Sequence, residues 1–138
     1  MALHHVNFHT WHGKPIFENE AYERMLRRCV PDVIAARGML CPAWEIMSTH
    51  IHVVVEDFAD LTLSAVLKHL KGDTSRAFFV AFPGLRADLG GGHLWQKGYY
   101  AVAILTHSQY LATLEYVRLN RVRVGLEPPA PLHYVGSV

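Results

Sequence analysis

The stretch STHIHVVVE, residues 48–56, carries two histidines one residue apart at the head of a β-branched run. Side chains alternate across a strand, so His50 and His52 share one face while Ile51, Val53 and Val55 share the other. Two imidazoles side by side on an open sheet face suit joint ligation of one metal ion. A half-exposed strand with two polar residues on its solvent side accounts for them more simply, since an isolated His-x-His is a weak motif. Near the end of the chain, LEYVRLN holds Tyr116 and Asn120 four residues apart. On a helix that spacing stacks a phenol and a carboxamide on one face. An amphipathic helix with Leu114, Val117 and Leu119 partly buried would carry the same residues for packing alone. The two pairs together, His-x-His on a strand and Tyr-x-x-x-Asn on a terminal helix, say more than either does separately.

These groups need elements to hold them. Residues 2–11 alternate and read as a first strand, broken by Gly13–Lys14–Pro15. Residues 18–38 read as a helix with Ala21, Met25, Cys29 and Val33 in one stripe, Gly38 as its stop and Pro31 as a kink or boundary. Residues 40–48 and 50–57 read as strands joined tightly near Ser48–Thr49. Residues 61–84 read as a second helix, with Leu63, Val66, Leu67, Leu70 and Thr74 at helical spacing, Gly72 weakening its middle and Pro83–Gly84 ending it. Residues 86–93, with three adjacent glycines, read as a flexible loop. Residues 94–105 read as a fourth strand and 107–125 as a third helix ending at Gly125. The order β-α-β-β-α-β-α predicts an α+β fold of the ferredoxin-like (RRM-like) kind, a four-stranded antiparallel sheet with two helices on one face and an added C-terminal helix bearing Tyr116. Residues 1–126 then form one domain, and 127–138 a Pro-rich tail extended against it or loose.

The chain has 138 residues, of which 51% are hydrophobic, enough to bury a core without disulfides or a structural metal. Cys29 and Cys41 are the only cysteines and form no CxxC pair. With no secretory leader ahead of them they are expected as reduced thiols of a cytoplasmic protein, and no apolar run is long enough to span a bilayer. The net charge of +1 neither selects nor excludes nucleic acid. Local basic clusters matter more: Arg27–Arg28, Lys68–Lys71 and Arg118–Arg121–Arg123. With ten histidines in the chain, any one of them means little by itself.

Four blocks carry a resemblance through most of the chain: EIMSTHIHVVVE, VLKHLKGDTSRAFF followed by FPGLR, LWQKGYYAV, and YVRLNRVRVGL. In this order and at these separations the sequence resembles the HUH-type single-tyrosine (Y1) transposases, the IS200/IS605-like group and its relatives associated with repetitive extragenic palindromes (REP). The resemblance implies the ferredoxin-like fold and a reaction in which single-stranded DNA is cut and rejoined through a covalent 5′-phosphotyrosine. It makes Tyr116 the nucleophile and His50, His52 and Asn120 the metal ligands. Insertion-sequence members usually carry Gln at the position of Asn120, and REP-associated relatives Asn. Two departures stand out. Ser48–Thr49 replace the usual Pro with Asp or Asn, and Arg121 replaces a usual Pro. Both touch the approach to the site and the helix exit, not the four chemical groups.

Two imidazoles and an amide oxygen suit Mg²⁺ or Mn²⁺, leaving positions for water and phosphate. A cation on a non-bridging oxygen relieves the repulsion that protects a phosphodiester. A tyrosyl phosphodiester conserves the energy of the broken bond, so a 3′-OH can reseal the strand without ATP. The implied partner is single-stranded DNA, with a hairpin implied by the family. Insertion-sequence relatives form a homodimer with exchanged catalytic helices, and REP-associated relatives are commonly monomers. Lys68, Lys71, Arg76, Lys97, Arg118, Arg121 and Arg123 are candidates to hold phosphates, and His93 and Trp95 to meet unpaired bases. Two other readings stay open at this level: a degenerate or domesticated relative that only binds single-stranded or hairpin nucleic acid, and a metal hydrolase of small phosphodiesters.

Overall fold

A computed structural model describes residues 2–58, 60–120, 132–136 and 138. The elements are β1 (Leu3–His9), α1 (Glu20–Arg37), β2 (Ala43–Ile46), β3 (His50–Glu56), α2 (Leu63–Ala81), α3 (Leu85–Asp88), β4 (Tyr99–Ile104), α4 (His107–Leu119) and β5 (His133–Val135). The sheet order is β2-β3-β1-β4-β5, with every neighbouring pair antiparallel. Its first four strands have the expected ferredoxin-like arrangement. The fifth comes from the Pro-rich tail, whose His133–Tyr134–Val135 pair with the outer edge of β4 and relieve its unpaired backbone. The sheet therefore has five strands, not four.

Side-chain capping and packing explain the helix limits. Asn19 caps α1 by accepting from the Ala21 and Tyr22 amides, and Gly38 ends it at a φ of 63°. Pro31 does not break α1, because it lies on the exposed side, where water can take the carbonyl its missing N–H would have bonded. The buried stripe of α1 is Leu26, Cys29, Val30 and Val33. Ala21 is exposed and Met25 half-buried, so the helix is rotated from the face expected for it. The segment expected as a loop at 86–93 begins with the helical turn α3, held by buried Leu85. The fourth strand starts at Tyr99 and not at 94. Of the expected third helix, residues 107–119 are helical, and Gly125 lies outside the described residues.

The core lies between the sheet and the α1–α2 layer. Val6 and Phe8 of β1 and Ile51, Val53 and Val55 of β3 meet Leu26 and Val30 of α1 and Val66, Leu67, Leu70 and Phe78 of α2. Trp95 belongs to this core, with its ring 4.7 Å from that of Phe8 and its indole N–H donating to Thr74 Oγ1 at 2.9 Å. Lys71 is also buried. Its ammonium donates to the carbonyls of Gln96 (2.8 Å), Gly98 (3.0 Å) and Val138 (2.8 Å), which uses all three N–H groups and ties the approach to β4 to the body. Cys29 and Cys41 are free thiols. Among the described residues no helix is long and apolar enough to cross a membrane.

Candidate active site

Residues paired across an antiparallel ladder share a face. Since Ile51, Val53 and Val55 point into the core, His50, His52 and Val54 project from the other side of β3. The β1–β3 register places His5 opposite Val54, Asn7 opposite His52 and His9 opposite His50. Two central strands thus bring four imidazoles together on the face away from α1 and α2.

Their geometry is ordered. His50 and His52 converge through their Nε2 atoms, 3.2 Å apart. Their other ring nitrogens are engaged elsewhere: His50 Nδ1 with Thr49 Oγ1 at 3.0 Å, and His52 Nδ1 with His5 Nε2 at 3.0 Å. His9 stacks on His50, with centroids 4.9 Å apart. Burial is the first cause of lowered basicity in all four rings. It holds His5 at about 4, lowers His9, and with the charge of His9 holds His50 at about 4. His52, buried and facing His5, His50 and His9 in decreasing effect, is driven to about 2. All four are therefore neutral at pH 7, with lone pairs available.

The helix α4 brings the phenol. Thr106 caps it by accepting from the Gln109 amide at 3.0 Å. Gln109 reaches back, accepting from the Leu105 amide at 2.8 Å and donating to the Ala103 carbonyl at 3.0 Å, so the helix start is fixed to the end of β4. Its stripe Thr113, Val117 and Asn120 is buried. Val117 packs with Ala43 of β2 and Val54 of β3, with Leu3, Ile104, Leu114 and Tyr116 around them. The Tyr116 ring lies at the edge of this small cluster, 5.7 Å centroid to centroid from both His52 and His5. The helix folds back on its own sheet, so this juxtaposition needs no exchange with a second chain. Asn120, one turn beyond Tyr116, is buried at the end of α4.

The donor set can be tested for a cation. Among the described residues no group of three or more His, Cys, Asp or Glu is placed to hold a metal ion. Glu45, opposite His52 in the β2–β3 register, accepts from Arg27 at 2.8 Å. A hard divalent site made of two imidazoles and a carboxamide does not require such a group. Ligands ~2.1 Å from a shared ion and 3.2 Å from each other subtend nearly a right angle, which suits octahedral coordination. Both Nδ1 atoms are occupied by partners that can fix the tautomer leaving Nε2 bare. His50 and His52 therefore fit a common cation.

The basic and aromatic residues expected at DNA are scattered. Lys71 and Trp95 are buried in the body, where bonding to three carbonyls and core packing remove them from any surface role. Lys68 and Arg76 lie on α2, on the helical side of the sheet and opposite the imidazoles. Arg76 pairs with Asp73, which also holds Arg37 at 2.8 Å. His93 and Lys97 are exposed, His93 against the Trp11 ring at 4.6 Å, and Arg118 is exposed on α4. Arg121 and Arg123 lie outside the described residues.

Sequence reasoning passed over His5, His9 and Thr49. The signal for the two histidines was available: Leu3, His5, Asn7 and His9 alternate with Val6 and Phe8, and the split βαβ order makes β1 the neighbour of β3. Thr49, expected only in the tight connection before β3 and as a departure from the family pattern, holds the ring of His50.

Residues 2–120 match the family described as Transposase IS200 like. The ISDra2 transposase TnpA of Deinococcus radiodurans is 33% identical over 84 residues, 61% of this chain and 58% of that protein, so the chain spans less than two thirds of this relative's length. Two solved structures share the fold. One is a protein of Deinococcus radiodurans R1 assigned as a transposase, with a TM-score of 0.65 and 23% identity, covering 84% of this chain and 88% of that one. The other is a REP-associated tyrosine transposase bound to a REP hairpin, with a TM-score of 0.64 and 18% identity, covering 90% of this chain and 68% of that one.

Proposed function

Since the chain belongs to the IS200-like transposase family, we propose that it cuts and rejoins single-stranded DNA, with Tyr116 as nucleophile and His50, His52 and Asn120 as ligands of Mg²⁺ or Mn²⁺. The observation that carries this reading is the meeting, within one chain, of the Tyr116 ring with His52, whose Nε2 converges with that of His50.

The phenol oxygen attacks phosphorus and the bond to the 3′ oxygen breaks, leaving a 5′-phosphotyrosine and a free 3′-OH. The phenol proton passes to water or a neutral imidazole, and a proton is taken up by the departing oxygen. Attack by a 3′-OH reverses the step and reseals a strand. A bound divalent cation supplies charge withdrawal from a non-bridging phosphate oxygen. The protein supplies position. The capped start of α4 and the packing of Val117 on Val54 hold the ring at its place, so little orientational freedom is lost on attack. Burial keeps the imidazoles unprotonated, so they do not repel a cation at neutral pH.

Single-stranded hairpin DNA incubated with the protein and Mn²⁺ is expected to give a covalent adduct on denaturing gels, lost in Tyr116→Phe. An adduct that persists in that variant rules out Tyr116. Turnover without any protein-linked product, unaffected by Tyr116→Phe, would favour a hydrolase of phosphodiesters, and DNA binding without cleavage under any divalent metal a binding-only protein.

A further inference from the structure

The open face of the sheet is divided. Among the described residues, the helix α4 covers β2 and the adjoining part of β3 and reaches β1 and β4 at Leu3, His5 and Ile104, whereas at the other end of β4 and on β5 Tyr100 and Tyr134 stay exposed. A row of rings crosses from one part to the other. His52 meets His50 at 4.9 Å between centroids, His50 stacks on His9 at 4.9 Å, His9 meets Tyr100 at 5.8 Å, and Tyr100 meets Tyr134 at 4.9 Å. The register explains the row: Asn7 pairs with Tyr100, and Tyr100 with Tyr134, so both tyrosines share the histidine face. Their neighbour Tyr99 points the other way, is 3% exposed and bonds Ser64 of α2 at 2.8 Å, whereas Tyr100 is 37% and Tyr134 53% exposed. Two large aromatic rings kept in water beside a buried one of the same type call for a partner.

We infer that His9, Tyr100 and Tyr134 form a platform on which unpaired bases of the DNA strand stack as it runs to or from Tyr116. The inference rests on the transposase reading above. Stacking on rings requires flat, accessible π-faces and no particular sequence, and the row provides such faces in steps of one strand. Three strand spacings separate His50 from Tyr134, about 14 Å in all. The outward residues of β1, β4 and β5 on this face are Leu3, His5, Asn7, His9, Tyr100, Val102, Ile104 and Tyr134, with no carboxylate among them, so a polyanion meets no repulsion there. Lys97, exposed next to Gly98, adds a cation at the far end, and Tyr134 is tied to it through a hydroxyl bond to the Lys97 carbonyl at 3.1 Å. The platform is also continuous with the imidazoles of the candidate site. The continuity with the imidazoles of the candidate site and the lack of carboxylates on these strands favour a single strand over a second copy of this chain.

The test measures binding apart from cleavage. In a Tyr116→Phe background without divalent metal, single-stranded oligonucleotides containing 2-aminopurine are titrated by anisotropy and by fluorescence quenching. Tyr100→Ala and Tyr134→Ala should each weaken binding by about tenfold and relieve quenching, with the salt slope unchanged because no phosphate contact is lost. Tyr100→Phe and Tyr134→Phe, which keep the ring, should retain both, and thermal melts identify a variant that has lost its fold. Unchanged affinity and quenching in the double alanine variant overturns the platform, as does a reduced salt slope. Dissociation of a dimer by the alanine variants, without a change in DNA affinity, assigns the face to self-association and overturns it as well. If the double variant with Tyr116 restored still forms the adduct while binding is unchanged, the platform fails and the transposase reading stands. If the unsubstituted chain forms no adduct but the alanines still weaken binding, the platform stands and the catalytic reading fails.

Discussion

Replacing His5 by phenylalanine separates holding a metal ligand from holding the fold. His5 is fully buried, and its Nε2 lies 3.0 Å from His52 Nδ1. For His52 to offer a bare Nε2 beside that of His50, its proton must sit on Nδ1, and His5 Nε2 is the acceptor for it. Phenylalanine keeps a flat ring in the same space, 5.2 Å from the His52 ring and 5.7 Å from that of Tyr116 in the native protein, but accepts nothing. The ligating tautomer of His52 would then bury an unpaired N–H at a cost of about 1–3 kcal/mol. That corresponds to a loss of about 5- to 150-fold in Mn²⁺ affinity, since each 1.4 kcal/mol is tenfold. Stability should not fall in parallel, because His5 Nδ1 is itself buried with no partner among the described residues and phenylalanine removes that defect. Mn²⁺ titration followed by electron paramagnetic resonance, thermal melts and ¹⁵N shifts of the His52 ring together check this. His5→Gln, whose amide oxygen can accept the same proton, should recover much of the affinity. Unchanged Mn²⁺ affinity in His5→Phe, or a loss that tracks stability and is not recovered by glutamine, refutes the argument.

Two further outcomes follow from buried ionisable groups. Burial lowers His5 and His50 to about 4 and His52 to about 2 from 6.5, so between those values the unfolded chain binds more protons than the folded one. Stability should be complete above pH 6.5 and fall as the pH drops toward 4, by about 1.4 kcal/mol per pH unit for each imidazole; urea midpoints that do not change between pH 7 and 4.5 would contradict it. Lys71→Met should destabilise the protein by about 2 kcal/mol, because three carbonyls lose their donor, while the salt slope of DNA binding stays the same; a salt slope reduced by about one, without loss of stability, would return Lys71 to the DNA surface.

Legibility in the sequence depended on how local the cause was. Alternation in residues 50–56 and helical spacing in 63–74 made β3 and α2 plain, because each pattern reflects one buried face. In α1 the expected Cys29 and Val33 are buried and Met25 packs at the margin of the core, but Ala21 is exposed and Leu26 and Val30 complete the stripe, because only contact with the sheet selects between neighbouring faces of the same period. Lys71 reads as a surface base in any local window, and three carbonyls distant in sequence turned it inward. Tyr99 and Tyr100 are the same residue type in the same strand, yet one is core and one is surface, a choice fixed by parity in the ladder. The fifth strand was hidden in a Pro-rich tail because three residues suffice for it once an edge of β4 is waiting.

The sequence by itself determined the order of the principal strands and helices, without α3 and β5, the common face of His50 and His52, and the one-turn spacing of Tyr116 and Asn120, since strand and helix periodicities are properties of the backbone. Tertiary structure decided which groups those residues meet. The pairing of β1 with β3 supplied His5 and His9, and the return of α4 over its own sheet delivered the phenol of Tyr116 to His52 within one chain. Register and helix docking are set by apolar burial summed over residues far apart in sequence, which no local pattern of residues records.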